Sequence, residues 1–209
     1  MSYQHSISER EKRMEKVIND IRKEIKGTVI KIIELRKYME KQEIAGIVDR
    51  VHKRHRKYIE RREVERKVKE ILDGENVVND VNKVVNAIHE IQRARFFKEI
   101  DIEKVDTWGE TLGRLLSKTV DLKTSQIRRI FGEFKKLHND VKRGQFERGR
   151  VLLMKPKLAY VAGRHEEAKP LVEVLSEGVK KVINAEDYNR IFQFFEAILA
   201  YHKYYGGKD

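Results

Sequence analysis

Apolar residues recur at helical spacing along almost the whole of this chain. Met14, Ile18, Ile21, Ile25, Thr28, Ile32, Leu35 and Met39 step alternately by four and three, an a/d seam of nearly four heptads. Ser8, with Glu11 three positions on, forms a capping box that would start this helix, and Gly27 sits inside the seam as a point of kinking. A second series runs through Ile44, Val48, Val51, His55, Tyr58 or Ile59, Val64, Val68 and Ile71, then stops at Asp73-Gly74. After Asn76 a third follows, Val77, Val81, Val84, Ile88 and Ile91, ending near Phe96, Phe97 and Ile100. Such seams must be covered. They cover one another in a hairpin or bundle, or they meet another subunit as a coiled coil.

Beyond residue 104 the helices read as shorter and richer in aromatics. Thr107 to Lys118 is one. Thr124 or Ser125 can N-cap a helix to about Arg143, closed by Gly144. Gln145 to Met154 has no clear period. Pro156 suits the first turn of a helix through Ala162, with Gly163 as its stop. Two closing helices follow, Glu166–Asn184 and Glu186–Tyr204, the last burying Ile191, Phe192, Phe195, Ile198 and Leu199. With only two prolines and few strand-like runs, the fold class is all-α. The expected architecture is a helical bundle with a long-helix N-terminal extension: a hairpin or coiled-coil-like part over 1–104 and a compact core over 105–209.

Charge changes the picture. The chain carries a net +12, and Arg114 to Arg164 alone hold 14 Lys/Arg against 4 Asp/Glu. From His165 to Asp209 the balance reverses, 6 basic against 8 acidic. Positive charge gathered in this way suits a polyanion, bound through phosphate contacts and counterion release. A solvated, lysine-rich surface would look similar, so charge alone does not decide.

Within this segment one helix is informative. Ile127, Ile130, Phe131, Phe134, Leu137, His138 and Val141 share a face. Arg128, Lys135 and Lys142 form a row beside it, and Arg129, Lys136 and Arg143 a second row roughly opposite. Each row repeats about every 10 Å along the axis, which can follow a phosphate backbone and reads no bases. Glu133 and Asp140 interrupt the rows. A second basic cluster follows at Lys155, Lys157 and Arg164.

Three stretches, TSQIRRIFGEFKKL (124–137), MKPKLAYVAGR (154–164) and FFEAILAYHKYYG (194–206), resemble in order and spacing the small, inner-filament subunit of the type III-A CRISPR–Cas Csm interference complex. The resemblance covers about 105–205 and leaves Met1 to Lys104 unmapped. It implies an all-helical subunit without catalytic residues, stacking head to tail along the crRNA–target RNA duplex beside the backbone subunits. Cleavage would then belong to the backbone subunit, and second-messenger synthesis to the large polymerase-like subunit. Arg128, Arg129, Lys135, Lys136, Lys155, Lys157 and Arg164 become the residues expected on the RNA phosphate path. Ser125 and Gln126 would be hydrogen-bonding contacts or merely a helix cap. Leu158, Ala159, Tyr160, Phe195 and Tyr201 also match family positions and read as core.

Other chemistry finds little support. There is no cysteine, which excludes disulfides, thiolate nucleophiles and Cys-ligated zinc and fits a reducing compartment. The start, MSYQHSISEREKR, lacks an apolar leader, and no window is apolar enough for a membrane span, so a cytoplasmic setting is expected. Arg50 and His55 have the R-x4-H spacing of HEPN ribonucleases, an enzymatic alternative, but Val51 replaces the polar residue usual after the Arg. They also lie in a run, Arg50–Lys69, of 10 basic and 3 acidic residues, where such coincidences are common and a second RNA-facing surface is conceivable. His52 and His55 lack an acidic third ligand nearby for a metal. No phosphate-binding loop or nucleophile elbow occurs, so no cofactor is expected. Trp108 reads as core. Tyr201, Tyr204 and Tyr205 are better explained as anchors of the last helix than as base-stacking platforms.

Overall fold

The computed structural model describes residues 2–209, with side chains described from Glu9 onward. Helices follow one another along the chain: α1 (Ser2–Leu35), α2 (Lys41–His55), α3 (Arg61–Gly74), α4 (Val77–Arg93), α5 (Ile102–Lys118), α6 (Thr124–Lys142), α7 (Arg148–Leu152), α8 (Met154–Arg164), α9 (Lys169–Lys180) and α10 (Ala185–Tyr204). Short 3₁₀ turns precede α5 and α9. No strand occurs among the described residues, and no helix is long and apolar enough to cross a membrane. The all-α bundle expected from the sequence is what forms.

Several boundaries differ from expectation for local reasons. α1 is already helical at Ser2, so it does not begin at the Ser8–Glu11 capping box, whose serine side chain lies outside the described residues. It ends at Leu35 instead of running on to Met39. Arg36 there takes a left-handed conformation (φ 55°), with Arg36 N–H donating to Ile33 O and Lys37 N–H to Ile32 O. α5 starts five residues before Thr107, because Asp101 caps it by accepting from the Glu103 N–H at 2.8 Å. Gly163 lies within α8, not after it. Gly144, at φ 79°, does close α6.

The long N-terminal helix is covered from within the chain. Its buried stripe, Val17, Ile21, Ile25, Val29 and Ile33 with Ile30 and Ile32, packs on α2, α3, α4 and α9. Of the last two expected seam positions, Leu35 is 52% exposed and Met39, beyond the helix, is buried. The stripe is wider than a strict a/d seam, which is what packing on several helices requires. All five expected α4 positions, Val77, Val81, Val84, Ile88 and Ile91, are buried. A single apolar cluster extends through both halves of the chain, from Val17 to Ile198.

Polar ties cross the same junction. Arg114 of α5 grips the buried Asp80 of α4 through two bonds, of 2.7 and 2.9 Å. Arg36 reaches the buried Glu177 of α9 at 2.6 Å. In the C-terminal half α5 and α10 pack closely. A Cβ on Gly109 would stand 2.7 Å from the Ala197 Cβ, and one on Gly113 would stand 2.7 Å from the His202 backbone nitrogen. Only glycine allows this approach. α6 docks on α10 through aromatics: Phe131 stacks on Phe192 at 5.3 Å, and Phe134 meets Phe195 edge-on at 5.1 Å.

Candidate nucleic-acid interface

α6 owes its orientation to its apolar face. Ile127, Ile130, Phe134, Leu137 and Val141 are buried, and Phe131 and His138 are half-buried, as the wheel predicts. α8 lies alongside and anchors itself with Met154 and Leu158. Between the two helices runs a groove with two adjoining depressions of about 420 and 240 Å³. Arg129, Tyr160 and Val161 line both. Lys157 lines the first, and Ser125, Gln126 and Arg164 line the second. Five of the nine residues singled out from sequence therefore meet in one place, from two motifs nearly thirty residues apart.

The other four stand elsewhere. At about 100° per residue, Arg128 and Lys135 fall on the flank of α6 away from α8, and Arg128 approaches the terminal Asp209 at 3.9 Å. Lys155 is exposed on the side of α8 opposite Lys157. Lys136 comes to the groove only through Glu133, which accepts from Lys136 Nζ at 2.8 Å and from Lys157 Nζ at 2.6 Å. Those two ammoniums, Lys136 first, hold the Glu133 carboxyl down at about 2.

Gln126 is engaged in structure. Its Oε1 accepts from the Lys123 N–H at 3.0 Å, and its Nε2 lies 2.9 Å from His165 Nδ1, joining α6 to the end of α8. Ser125 is exposed on the first turn. The residue before the helix is Lys123, and Thr124 is its first, buried residue. Neither Thr124 nor Ser125 is therefore the N-cap, and the Thr124 hydroxyl instead donates to Gly207 O at 3.1 Å.

Two further residues belong to the groove, Tyr160 and Glu133. Tyr160, expected in the core, is 59% exposed, and its hydroxyl accepts from Arg164 Nη1 at 3.0 Å. Arg164 also stands over the Tyr160 ring, 5.7 Å from its centre. The ring thus sits at the groove with a guanidinium beside it. Ala159 is exposed as well and Tyr201 only half-buried, whereas Leu158 and Phe195 are core as expected. The wheel of α8 carried this signal, since Tyr160 lies about 160° round from Leu158. In sequence Glu133 interrupts the basic rows, and its bridging role requires the second helix.

The remaining candidates are tied up differently. Arg50 bonds Glu24 and Thr28 of α1, and the buried His55 places Nε2 2.7 Å from Asp20 Oδ2. Both fasten α2 to α1. In the same basic run Arg54 pairs with Glu24, Arg61 with Asp49, Arg66 with Glu63 and Glu70, and Lys67 with Glu70. Trp108 is buried against Phe194. Tyr205 receives a bond from Arg114 at 3.0 Å, while Tyr204 is 78% exposed. Among the described residues no group of three or more His, Asp or Glu is arranged to hold a metal.

The family model described as Csm2 Type III-A matches residues 99–208, more than half of the chain and the whole of the groove. This chain belongs to the Csm2 type III-A family. A curated relative, "CRISPR system Cms protein Csm2" of Streptococcus thermophilus, is 34% identical over 92 residues, which is 42% of this chain and 76% of the relative. No solved structure matches. Membership makes the chain a structural subunit of a type III-A CRISPR complex. The match begins within the 3₁₀ turn before α5, so α1 to α4 lie outside what the family model covers.

Proposed function

We propose that this subunit holds RNA by its phosphate backbone in the groove between α6 and α8, without catalysing a reaction. One observation carries the reading: Arg129, Lys157, Arg164 and the exposed ring of Tyr160 line one groove, although they come from two separate motifs. Three cations along a groove grip a strand irrespective of sequence, and an exposed ring beside a guanidinium offers a platform for a base. Against a nuclease stands the commitment of Arg50 and His55 to carboxylates of α1. In a type III-A complex the strand would be crRNA or target RNA, and the subunits would stack head to tail beside the backbone subunits, in the cytoplasm. The long N-terminal helix bundle is then an addition to the family's compact core.

The test is binding of single-stranded RNAs of several sequences by Arg129→Glu with Arg164→Glu. Affinity should fall alike for all sequences, and the slope of log K against log salt should flatten by roughly 1.4 for two lost phosphate contacts. Unchanged affinity and slope would remove the groove from consideration. Retention of the variant in the assembled complex, with less RNA recovered, separates RNA grip from subunit docking.

A further inference from the structure

A second cationic concavity lies where the N-terminal helices meet the family-matched half. This cleft, of about 410 Å³, opens between α1, the end of α3, the end of α5 and the tail of the chain. Arg22, Lys23 and Lys26 enter it from α1, Lys118 from the last position of α5, and Lys208 from the tail. Among the described residues two carboxylates line it. Glu75 pairs with Arg22, and Asp121 with Lys208 at 3.3 Å. Among the described residues Lys23, Lys26 and Lys118 form no ion pair, and Lys26 is half-buried. Five cations against two carboxylates give the cleft a positive field that draws an anion in.

The cleft is also continuous with the first turn of α6. The Lys208 carbonyl accepts from the Thr124 N–H at 2.7 Å, and Asp209 approaches Arg128 at 3.9 Å. A strand leaving the cleft past Lys208 therefore arrives at the first turn of α6, where Ser125 lines the α6–α8 groove and Arg128 stands on the flank away from α8. The cations come from three separated elements, α1, the end of α5 and the tail, and so spread positive charge over the cleft. That arrangement suits an extended polyanion better than a small phosphate compound, which needs convergent donors.

We infer that this cleft is a second seat for the RNA backbone, so that the N-terminal half lengthens the track that each subunit offers. The inference rests on the reading that the α6–α8 groove holds RNA. It gives α1 a purpose that neither the family match nor the core packing supplies.

The test is fluorescence anisotropy of a labelled single-stranded RNA of mixed sequence, titrated with the full chain over a salt series. Wild type is compared with Lys23→Glu/Lys26→Glu/Lys118→Glu and with Arg129→Glu/Arg164→Glu. The triple variant is expected to bind at least tenfold more weakly, with a log K against log salt slope shallower by about 2 for three contacts. Among the described residues none of the three lysines forms an ion pair, so the fold should survive. The Lys23→Gln/Lys26→Gln/Lys118→Gln variant repeats the slope measurement without adding negative charge. A triple variant that binds like wild type beside a weakened groove variant overturns the inference and leaves the groove reading standing. Two variants both like wild type overturn both. Weakening of the triple variant alone discards the groove residues and overturns the second-seat inference with them, leaving the cleft as the seat.

Discussion

Gly207 lies so close against the imidazole of His202 that a Cβ at position 207 would stand 2.1 Å from Cε1 of the ring and 2.3 Å from Nδ1. The ring is fully buried, with Nε2 2.8 Å from the Leu122 carbonyl oxygen. The Gly207 N–H donates to His202 O at 2.9 Å, and the Gly207 and Lys208 carbonyls take both donors of Thr124. The end of the chain thus clasps the first turn of α6, which leads into Ser125, Arg128 and Arg129. This gives the final motif of the family resemblance a physical job, although it lies outside the groove.

Gly207→Ala should therefore act on both stability and RNA binding. The methyl group cannot be housed without lifting the tail, a strain of about 1–3 kcal/mol. Urea unfolding should shift to a lower midpoint, and amide exchange at Thr124 should quicken. RNA affinity should fall severalfold through the loosened first turn. Gly149→Ala, where a Cβ would meet nothing within 4 Å, is the control: within α7 it should hold or slightly raise the urea midpoint and leave Thr124 exchange and RNA affinity unchanged.

The pair Asp80–Arg114 makes a separate prediction about how the two halves hold together. Asp80 is 1% exposed, and the carboxylate beside Arg114 raises that guanidinium's proton affinity further. Asp80→Ala leaves Arg114 partly buried with only Glu110 and Tyr205, and should cost about 3 kcal/mol in urea unfolding. Replacing both, as Asp80→Leu with Arg114→Met, should cost less than Asp80→Ala alone, because no charge is left stranded. A double variant at least as unstable as the sum of the singles would show the pair to be immaterial.

Much of this architecture could be read from periodicity, because buried faces of α4, α6 and α10 are set by local spacing. The end of α1 could not. Arg36 adopts a left-handed conformation that normally selects glycine, at a cost of roughly 1–2 kcal/mol, and Arg36 offsets it through Glu173 and Glu177, which are 137 and 141 residues away. No local signal encodes that partner. The same holds for Glu133: its place between Lys136 and Lys157 depends on how α8 lies on α6. Tyr160 failed for a different reason. Its aromatic character suggested core, when its position on the wheel already pointed outward. The seam of α1 was recognised, but whether it met helices of the same chain or a second subunit is a tertiary choice.

Two histidines predict the acid side of the stability curve. His138 stacks face to face on Phe192 at 3.9 Å, and burial pushes its imidazole down. Burial does the same to His202, partly opposed by the Leu122 carbonyl. A histidine depressed in the folded state takes up protons more readily when unfolded. Stability from both is therefore fully present above about pH 6.5 and declines as pH falls from there through the folded values. The urea midpoint should drop between pH 7 and pH 5. His138→Phe keeps the stack and removes one titrating group, so its pH dependence should be shallower; an identical pH profile would show that His138 does not contribute.

Glu133 offers the most direct probe of the groove. It neutralises Lys157, and Lys136 beside it, so in the free protein it competes with any phosphate for both ammoniums. Glu133→Gln removes that competitor and keeps the shape. RNA affinity should rise severalfold, and the slope of log K against log salt should steepen by up to about 1.4 as two more cations become available. The stability cost should stay within about 0.5 kcal/mol near neutral pH, because the side chain is a third exposed and solvent screens its pairs. The effect has a pH signature too. With the carboxyl held near 2 instead of its ordinary 4.5, its pairing is intact above pH 4.5 and is lost only as pH falls toward 2. Wild type and Glu133→Gln should therefore differ in RNA affinity throughout pH 5–8. Equal affinity across that range would mean that Lys136 and Lys157 do not meet the strand.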